Sequence, residues 1–406
     1  MKKPLIITLT LSLLFSCTSK SPETSQWRGP DRDGFYPDKG LLEKWPDDGP
    51  PLLWTYEDLG KGYTTVAVTR DKLFTSGTFD SISYLFALDH SGQLIWKKEY
   101  GKAWLTNFPG ARSTPLIHDG LGYVLSGLGK LVCFDPENGD FIWTRDLYDD
   151  FAAREIKFGM TENLLIDGDK LFCTPGGVKH NVVALNRRTG ELIWASKGNM
   201  EASAYCSPRI VDVYGKRTLL TITALSIIAL DPDTGELIWS HDMEYPHGIH
   251  GNSPIYHDGY IFAMNGWGFG SVMLKVKEDG SGVDEVWRSN LFDLEHGDAL
   301  RIGSNIYGTD YTTRHFSCVD WYTGKVKDSL NQFAPGTVIS AEGLIYCYSY
   351  TGDMALIRPT EDGFTVVSSF STPGQKRDHI AHPVIHDKKL YLRYANALRV
   401  YDIAKI

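Results

Sequence analysis

Beyond about residue 60 the chain alternates apolar and polar positions in short runs separated by Gly, Asp or Asn, a period-two pattern that predicts β-strands joined by tight turns. Two turn signatures recur. One sits in the phrase Ala229 to Trp239, "ALDPDTGELIW", which returns at Ala87 to Trp96, Cys133 to Trp143 and Ala184 to Trp194. Weaker copies run from Leu274 to Trp287, Cys318 to Val326 and Ala355 to Val367, and a half-copy runs from Leu398 to Asp402. The Asp or Asn that opens the turn can accept from backbone N–H groups two residues on, and the Gly that closes it takes the left-handed conformation, so each copy reads as a β-hairpin. The second signature lies upstream of the first: an apolar strand, an Asp-Gly-like turn and another strand, as in "STPLIHDGLGYVLSG" from Ser113 and "NSPIYHDGYIFAMNG" from Asn252.

Two hairpins make a four-stranded antiparallel unit, and units repeating at about 40 to 50 residues predict an all-β, eight-bladed β-propeller. Trp96, Trp143, Trp194, Trp239 and Trp287 mark five outer strands, Val326 and Val367 stand in for the next two, and Trp54 supplies the eighth. The strand of Trp54 precedes any hairpin of its own. It is expected to lie beside Leu398 to Asp402 and close the ring, since an open array would leave a seam of unpaired backbone. The tryptophans read as packing between blades, each with a small residue such as Ala87 or Cys133 leaving room for the ring.

The phrase Ala-x-Asp-x-x-Thr-Gly-x-x-x-Trp resembles the tryptophan-docking motif of the pyrroloquinoline quinone (PQQ)-like eight-bladed propellers, over about residues 45 to 406. "QWRGPDRDG", Gln26 to Gly34, resembles the lead-in of bacterial secreted proteins of that kind, which include polyvinyl alcohol dehydrogenase-like and BamB-like proteins. The resemblance implies a quinoprotein alcohol dehydrogenase-like fold and two functions. The first is a binding or scaffold module for an envelope partner; the alternative is a secreted PQQ-dependent dehydrogenase acting on polyvinyl alcohol, another alcohol or a sugar. Dehydrogenases of the family hold PQQ and Ca²⁺, a catalytic Asp and a disulfide between adjacent cysteines. This sequence has no Cys-Cys pair and no Cys-x-x-Cys-His haem site, and no position matches the catalytic Asp or the calcium ligands. The residues therefore assign no cofactor and no catalytic group; PQQ with Ca²⁺ enters by resemblance alone, and the reading leans away from an enzyme.

The N-terminus changes the picture of where the chain works. Lys2 and Lys3 precede an apolar stretch from Leu5 to Phe15 that is too short to span a bilayer and has the layout of a secretory signal. It ends in Leu14-Phe15-Ser16-Cys17, which resembles a bacterial lipobox with Cys17 as the lipid attachment site. The expected organisation is a signal peptide over 1–16, a polar tether over 17–26, a lead-in over 27–50 and the propeller over 51–406. A lipid anchor would hold the protein on a membrane without a spanning helix. Residues 19–23, "SKSPE", lack an acidic run, which favours the outer membrane facing the periplasm. Loss of Lys2 and Lys3 takes the formal charge from −9 to −11, with no basic run to compensate, so nucleic acid is not an expected partner. Five cysteines remain, an odd number, and their strand-like contexts suggest small buried core residues.

Candidate chemistry gathers in six polar segments just before the first strands of their repeats: 62–65, 110–114, 159–163, 245–253, 295–301 and 376–382. If they share one mouth, Arg112, Glu162, His247, His250, Asn252, His296, Asp298, Arg301, Arg377, Asp378, His379 and His382 line a common pocket. His247-x-x-His250 and His379-x-x-His382 lack the helical context that would aim both rings at one ion, so no metal is assigned. A hydrogen-bonded mouth for an envelope protein or for a small organic or carbohydrate ligand is the expectation. "GWGFGS", Gly266 to Ser271, reads as a hairpin connection, and "DRDG", Asp31 to Gly34, as a turn.

Overall fold

The computed structural model describes residues 25–333 and 335–405, so the signal segment and Cys17 lie outside the described residues. Eight sheets, each with four antiparallel strands, form an eight-bladed propeller. Blades 1 to 7 are each continuous in sequence, over 67–102, 116–146, 165–196, 209–242, 255–289, 299–330 and 336–371. Blade 8 takes three strands from 384–402 and its outer strand from Leu52–Tyr56. That outer strand pairs antiparallel with Ala397–Asp402, placing Trp54 opposite Val400 and Tyr56 opposite Leu398, and so joins the two ends of the chain in one sheet. Among the described residues no helix is long and apolar enough to cross a membrane.

The repeated phrase builds the junctions between blades. At its turn Asp231 Oδ1 accepts from the N–H groups of Asp233 and Thr234 at 2.8 and 2.9 Å, and Gly235 holds φ at +75°. Asn186 and Asp320 close their turns in the same way. A bulge in the following strand then brings the Trp opposite the small residue: Trp96 faces Ala87, Trp143 faces Cys133, Trp194 faces Ala184 and Trp239 faces Ala229. Five indoles reach the turn of the next blade. Trp54 Nε1 donates to the His90 carbonyl (3.1 Å), Trp96 to Pro136 (3.2 Å), Trp143 to Arg187 (3.0 Å), Trp194 to Pro232 (3.2 Å) and Trp287 to Trp321 (3.1 Å). One side chain thus buries apolar area and satisfies an orphan turn carbonyl.

Two blades depart from the expected stand-ins. Val326 pairs with Val319 and is exposed; the position opposite Cys318, where other blades carry Trp, is Asp328, whose carboxylate accepts from the Phe364 N–H at 3.1 Å. In blade 7 Val367 falls in the bulge, and Ser368 follows it opposite Leu356. Ser368 Oγ accepts from the Trp45 N–H, and the lead-in's Trp45, 1% exposed, packs edge-on against Phe370. A search for apolar replacements passes over both devices, because one uses a carboxylate and the other an indole from a distant part of the chain.

All five described cysteines are buried and free. Their thiols, raised by burial, are small core groups; Cys347, for example, is pushed up to about 12.

The lead-in does not precede the propeller but runs inside it. The Ser25 carbonyl accepts from Ile117 N–H in blade 2, Arg32 donates to the carbonyls of Asn163, Leu164 and Pro208 at blades 3 and 4, and Arg28 donates to those of Ala299 and Val338 in blades 6 and 7. Phe35–Tyr36 then pairs parallel with Ser340–Ala341, and the Tyr36 hydroxyl donates to the Pro383 carbonyl of blade 8. A single short segment that touches first strands from six of eight blades must lie on the ring axis. It fills the channel with two guanidinium groups, 2% and 5% exposed, whose donors are spread over backbone carbonyls that the converging strands leave unpaired.

Candidate functional site

Above this plug the segments entering the first strands and the loops between second and third strands enclose a cavity of about 300 Å³. Tyr63, Arg112, Asn163, Tyr205, Ile249, His296 and His382 come from the former, Trp267, Tyr311 and Tyr350 from the latter, and Trp27 of the lead-in lines it as well. The walls are mainly aromatic. Phe108 lies 6.4 Å from Tyr63 and 6.1 Å from Phe158, and Phe158 lies 6.0 Å from both Tyr205 and Trp267, all between ring centroids. Phe108, Tyr205 and Trp267 hold φ at +57°, +73° and +48°. Bulky side chains rarely adopt such backbone, at a cost of about 1–3 kcal/mol each, and its concentration around one cavity is the pattern of a functional site.

Neighbouring polar groups fix the rings. Asp293 Oδ1 accepts from the Tyr311 N–H at 2.7 Å, Trp267 Nε1 donates to Glu295 Oε1 at 3.0 Å, and the Tyr350 hydroxyl donates to Asp378 Oδ1 at 2.6 Å. Trp27 is fixed by His382: the indole Nε1 is 3.4 Å from His382 Nδ1. With Nδ1 accepting, the imidazole proton belongs on Nε2, which lies 3.4 Å from Asp298 Oδ2; Arg28 Nη1 lies 3.4 Å from the same oxygen. Burial alone would raise the Asp298 carboxyl, but Arg28 and His382 overcome it and hold it below the usual range. Burial lowers His382 and keeps it neutral near pH 7.

The structure divides the twelve candidate residues. Arg112, His296 and His382 line the cavity. Asn252 and Asp298 are buried beside it: Asn252 Oδ1 accepts from the Asp298 N–H at 2.7 Å, and Asp298 Oδ1 accepts from the Ser253 N–H at 3.0 Å. Asp378 acts through Tyr350, and the adjacent Arg377 is exposed. Glu162 is buried against Thr174, accepting from its N–H at 2.8 Å. His250 is enclosed, its Nε2 3.3 Å from the Ala224 carbonyl, whereas His247 is exposed over Tyr245, Trp267 and Phe269. His379 stacks on Tyr394 with centroids 3.7 Å apart and meets the Tyr348 hydroxyl at 2.6 Å. Arg301 lies within the first strand of blade 6, over the Trp321 ring, and does not reach the cavity. A polar-segment search misses the aromatic walls; the signal available was the "WGFG" loop, whose Trp267 is a lining residue rather than only part of a connection.

An eight-bladed propeller with an axial pocket belongs to a class that serves as scaffold in some proteins and as catalyst in others. This chain belongs to the PQQ-like propeller family: a family profile described as "Outer membrane protein assembly factor BamB" matches residues 81–329, more than half of it. The "Quinoprotein ethanol dehydrogenase" of Pseudomonas aeruginosa is 32% identical over 144 residues, 32% of this chain and 22% of that protein. The "Outer membrane protein assembly factor BamB" of Shewanella oneidensis is 24% identical over 233 residues, 53% of this chain and 56% of that protein. The chain thus spans between about a fifth and a little over half of these relatives' lengths. Among solved structures, BamB from Moraxella catarrhalis superposes with a TM-score of 0.60 at 15% identity, covering 86% of this chain and 97% of that one. The quinohemoprotein alcohol dehydrogenase from Comamonas testosteroni gives 0.68 at 11% identity, covering 96% and 82%. These likenesses show the fold alone.

The quinone that the dehydrogenase relatives imply can be tested against the donors present. PQQ is a tricarboxylate, and a calcium partner needs a cage of six or more oxygens. Among the described lining residues Arg112 is the only permanent cation, and no group of three His, Cys, Asp or Glu side chains forms a metal-ligand set. The aromatic walls suit a planar ring; the charge pattern does not suit this cofactor.

Proposed function

We propose that the chain is a binding propeller of the bacterial envelope, held through lipidated Cys17 on the periplasmic side of the outer membrane, with the axial cavity as its recognition site. The observation that carries this reading is the strained aromatic enclosure on the axis, floored by Trp27 and held by Asp293, Glu295 and Asp378. Pockets of this kind recognise ligands through ring faces and a few placed polar groups. The match to a family described by an outer-membrane assembly factor supports the envelope setting. A second reading, an oxidoreductase, is favoured by the names of the quinoprotein relatives and opposed by the donor set.

The two separate experimentally. Protein extracted from native membranes is expected to carry a diacylglyceryl Cys17 by mass spectrometry. Soaked with PQQ and Ca²⁺, it is expected to show neither quinone absorbance nor dye-linked alcohol oxidation. An absorbing, turning-over complex would replace the binding reading with the enzymatic one.

A further inference from the structure

Two polar groups, each with one unpaired atom, line the cavity from opposite sides of the ring. Arg112 leads into blade 2 and Glu295 leads into blade 6, four blades away in an eight-bladed circle, and both line the cavity. The Arg112 guanidinium donates through Nη2 to the carbonyls of Asn107 and Phe108 at 2.7 and 2.5 Å; its Nε is buried without a partner, and no carboxylate lies within ion-pair reach among the described residues. Burial lowers Arg112 only to about 10, so it stays charged near neutrality. Glu295 uses Oε1 for Trp267 and leaves Oε2 buried without a partner. One wall therefore offers a cation and an unused N–H, and the opposite wall offers an unused acceptor. Apolar ring faces lie between them.

We propose that this pocket binds an acidic saccharide, a uronate-type mono- or disaccharide, with its carboxylate on Arg112, its hydroxyls on Glu295 and its C–H faces on the aromatic walls. This rests on the reading of the cavity as a recognition site. Elimination by chemistry supports the class. A flat aromatic acid satisfies Arg112 and the rings but brings no donor to Glu295 Oε2. An amine satisfies Glu295 and the ring faces but is opposed by Arg112 and leaves its Nε unmet. A neutral sugar meets Glu295 and the rings but leaves a desolvated guanidinium without an anion, a costly arrangement in a partly closed site. A sugar acid meets all three demands. The volume sits at the lower end for small-molecule pockets, which limits the ligand to one or two rings, and the net charge of −9 disfavours a long polyanion.

The test is titration of the full chain, followed by tryptophan fluorescence and calorimetry, with digalacturonate, neutral digalactose and benzoate. Digalacturonate is expected to bind saturably, at least roughly tenfold more tightly than either comparator, and to weaken as salt rises. Arg112→Gln is expected to bring digalacturonate down to the affinity of digalactose, whereas Arg112→Lys, which keeps the charge, is expected to retain part of the preference for the acid. Glu295→Gln is expected to weaken both sugars. The preference kept by Arg112→Lys separates loss of the charge from loss of the contacts to Asn107 and Phe108. Equal binding of the two sugars, or tighter binding of benzoate, overturns the saccharide-acid assignment and leaves the recognition site standing. No binding of any of the three, with PQQ binding in their place, overturns both.

Discussion

The indole of Trp27 meets the imidazole of His382 edge to face, with centroids 5.4 Å apart and planes at 82°, so the N-terminal lead-in is clasped by the last blade. Trp27 is 6% exposed and lines the cavity from below. Trp27→Ala is expected to cost about 3–5 kcal/mol, as for other buried large aromatics, and to loosen the whole plug because Arg28 and Arg32 depend on its placement. Hydrogen exchange over residues 25–36 should rise well above that of the outer strands. Unchanged protection in the variant would show that the arginines alone hold the plug.

How much of this was legible in the sequence depends on whether the signal was local. Ala229 to Trp239 states its turn, its bulge and its interblade indole within eleven residues, so the fold and the closure by Trp54 could be read directly. The axial place of Arg28 and Arg32 is not written locally: beyond Asp33 and Gln26 nearby, their partners are the carbonyls of Ala299, Val338, Asn163, Leu164 and Pro208, groups present in every sequence, and for Arg28 the distant Asp298 carboxylate. The site suffered likewise. Polar segments mark the mouth, yet His250, Asp298 and His379 are consumed by neighbours, while Phe108, Tyr205 and Trp267 turn inward because of backbone conformations that composition does not reveal.

The turn glycines of the repeated phrase carry two burdens that substitution can separate. A Cβ on Gly235 would lie 2.4 Å from Trp194 Cε3, with φ at +75°; one on Gly215, with φ at +83°, meets nothing within 4 Å. Gly215→Ala should cost only the backbone penalty, about 1 kcal/mol. Gly235→Ala should cost a further ~1–3 kcal/mol through displacement of Trp194. Urea denaturation of the two variants decides the matter, and equal losses would mean that the indole yields freely.

His250 makes stability depend on acid. Burial pushes its imidazole down to about 4, while the unfolded chain takes up that proton near 6.5. The folded state therefore binds the proton less well, and stability falls as pH drops from about 6.5 toward 4, by up to about 3 kcal/mol from this residue. His250→Phe keeps the ring volume and removes the titration. Its unfolding midpoint should fall less between pH 7 and pH 4.5 than that of the parent, and parallel pH profiles would exclude His250 as the source.

Glu162 acts in the opposite direction. Burial pushes its carboxyl up to about 8, although the two bonds from Thr174 and the charge of Arg32 pull the other way. Below about 4.5 the group is protonated whether folded or not, and its contribution to stability is complete. As pH rises the unfolded chain ionises first, so that contribution is lost through the window from 4.5 to 8, by up to about 5 kcal/mol. Glu162→Gln retains an acceptor for the Thr174 N–H and cannot ionise. It should be more stable than the parent at pH 8, with the gain shrinking to nearly nothing at pH 4. Denaturant midpoints at the two pH values test this directly, and a gain of the same size at both would mean that packing, rather than a buried carboxyl forced to stay neutral, explains the effect.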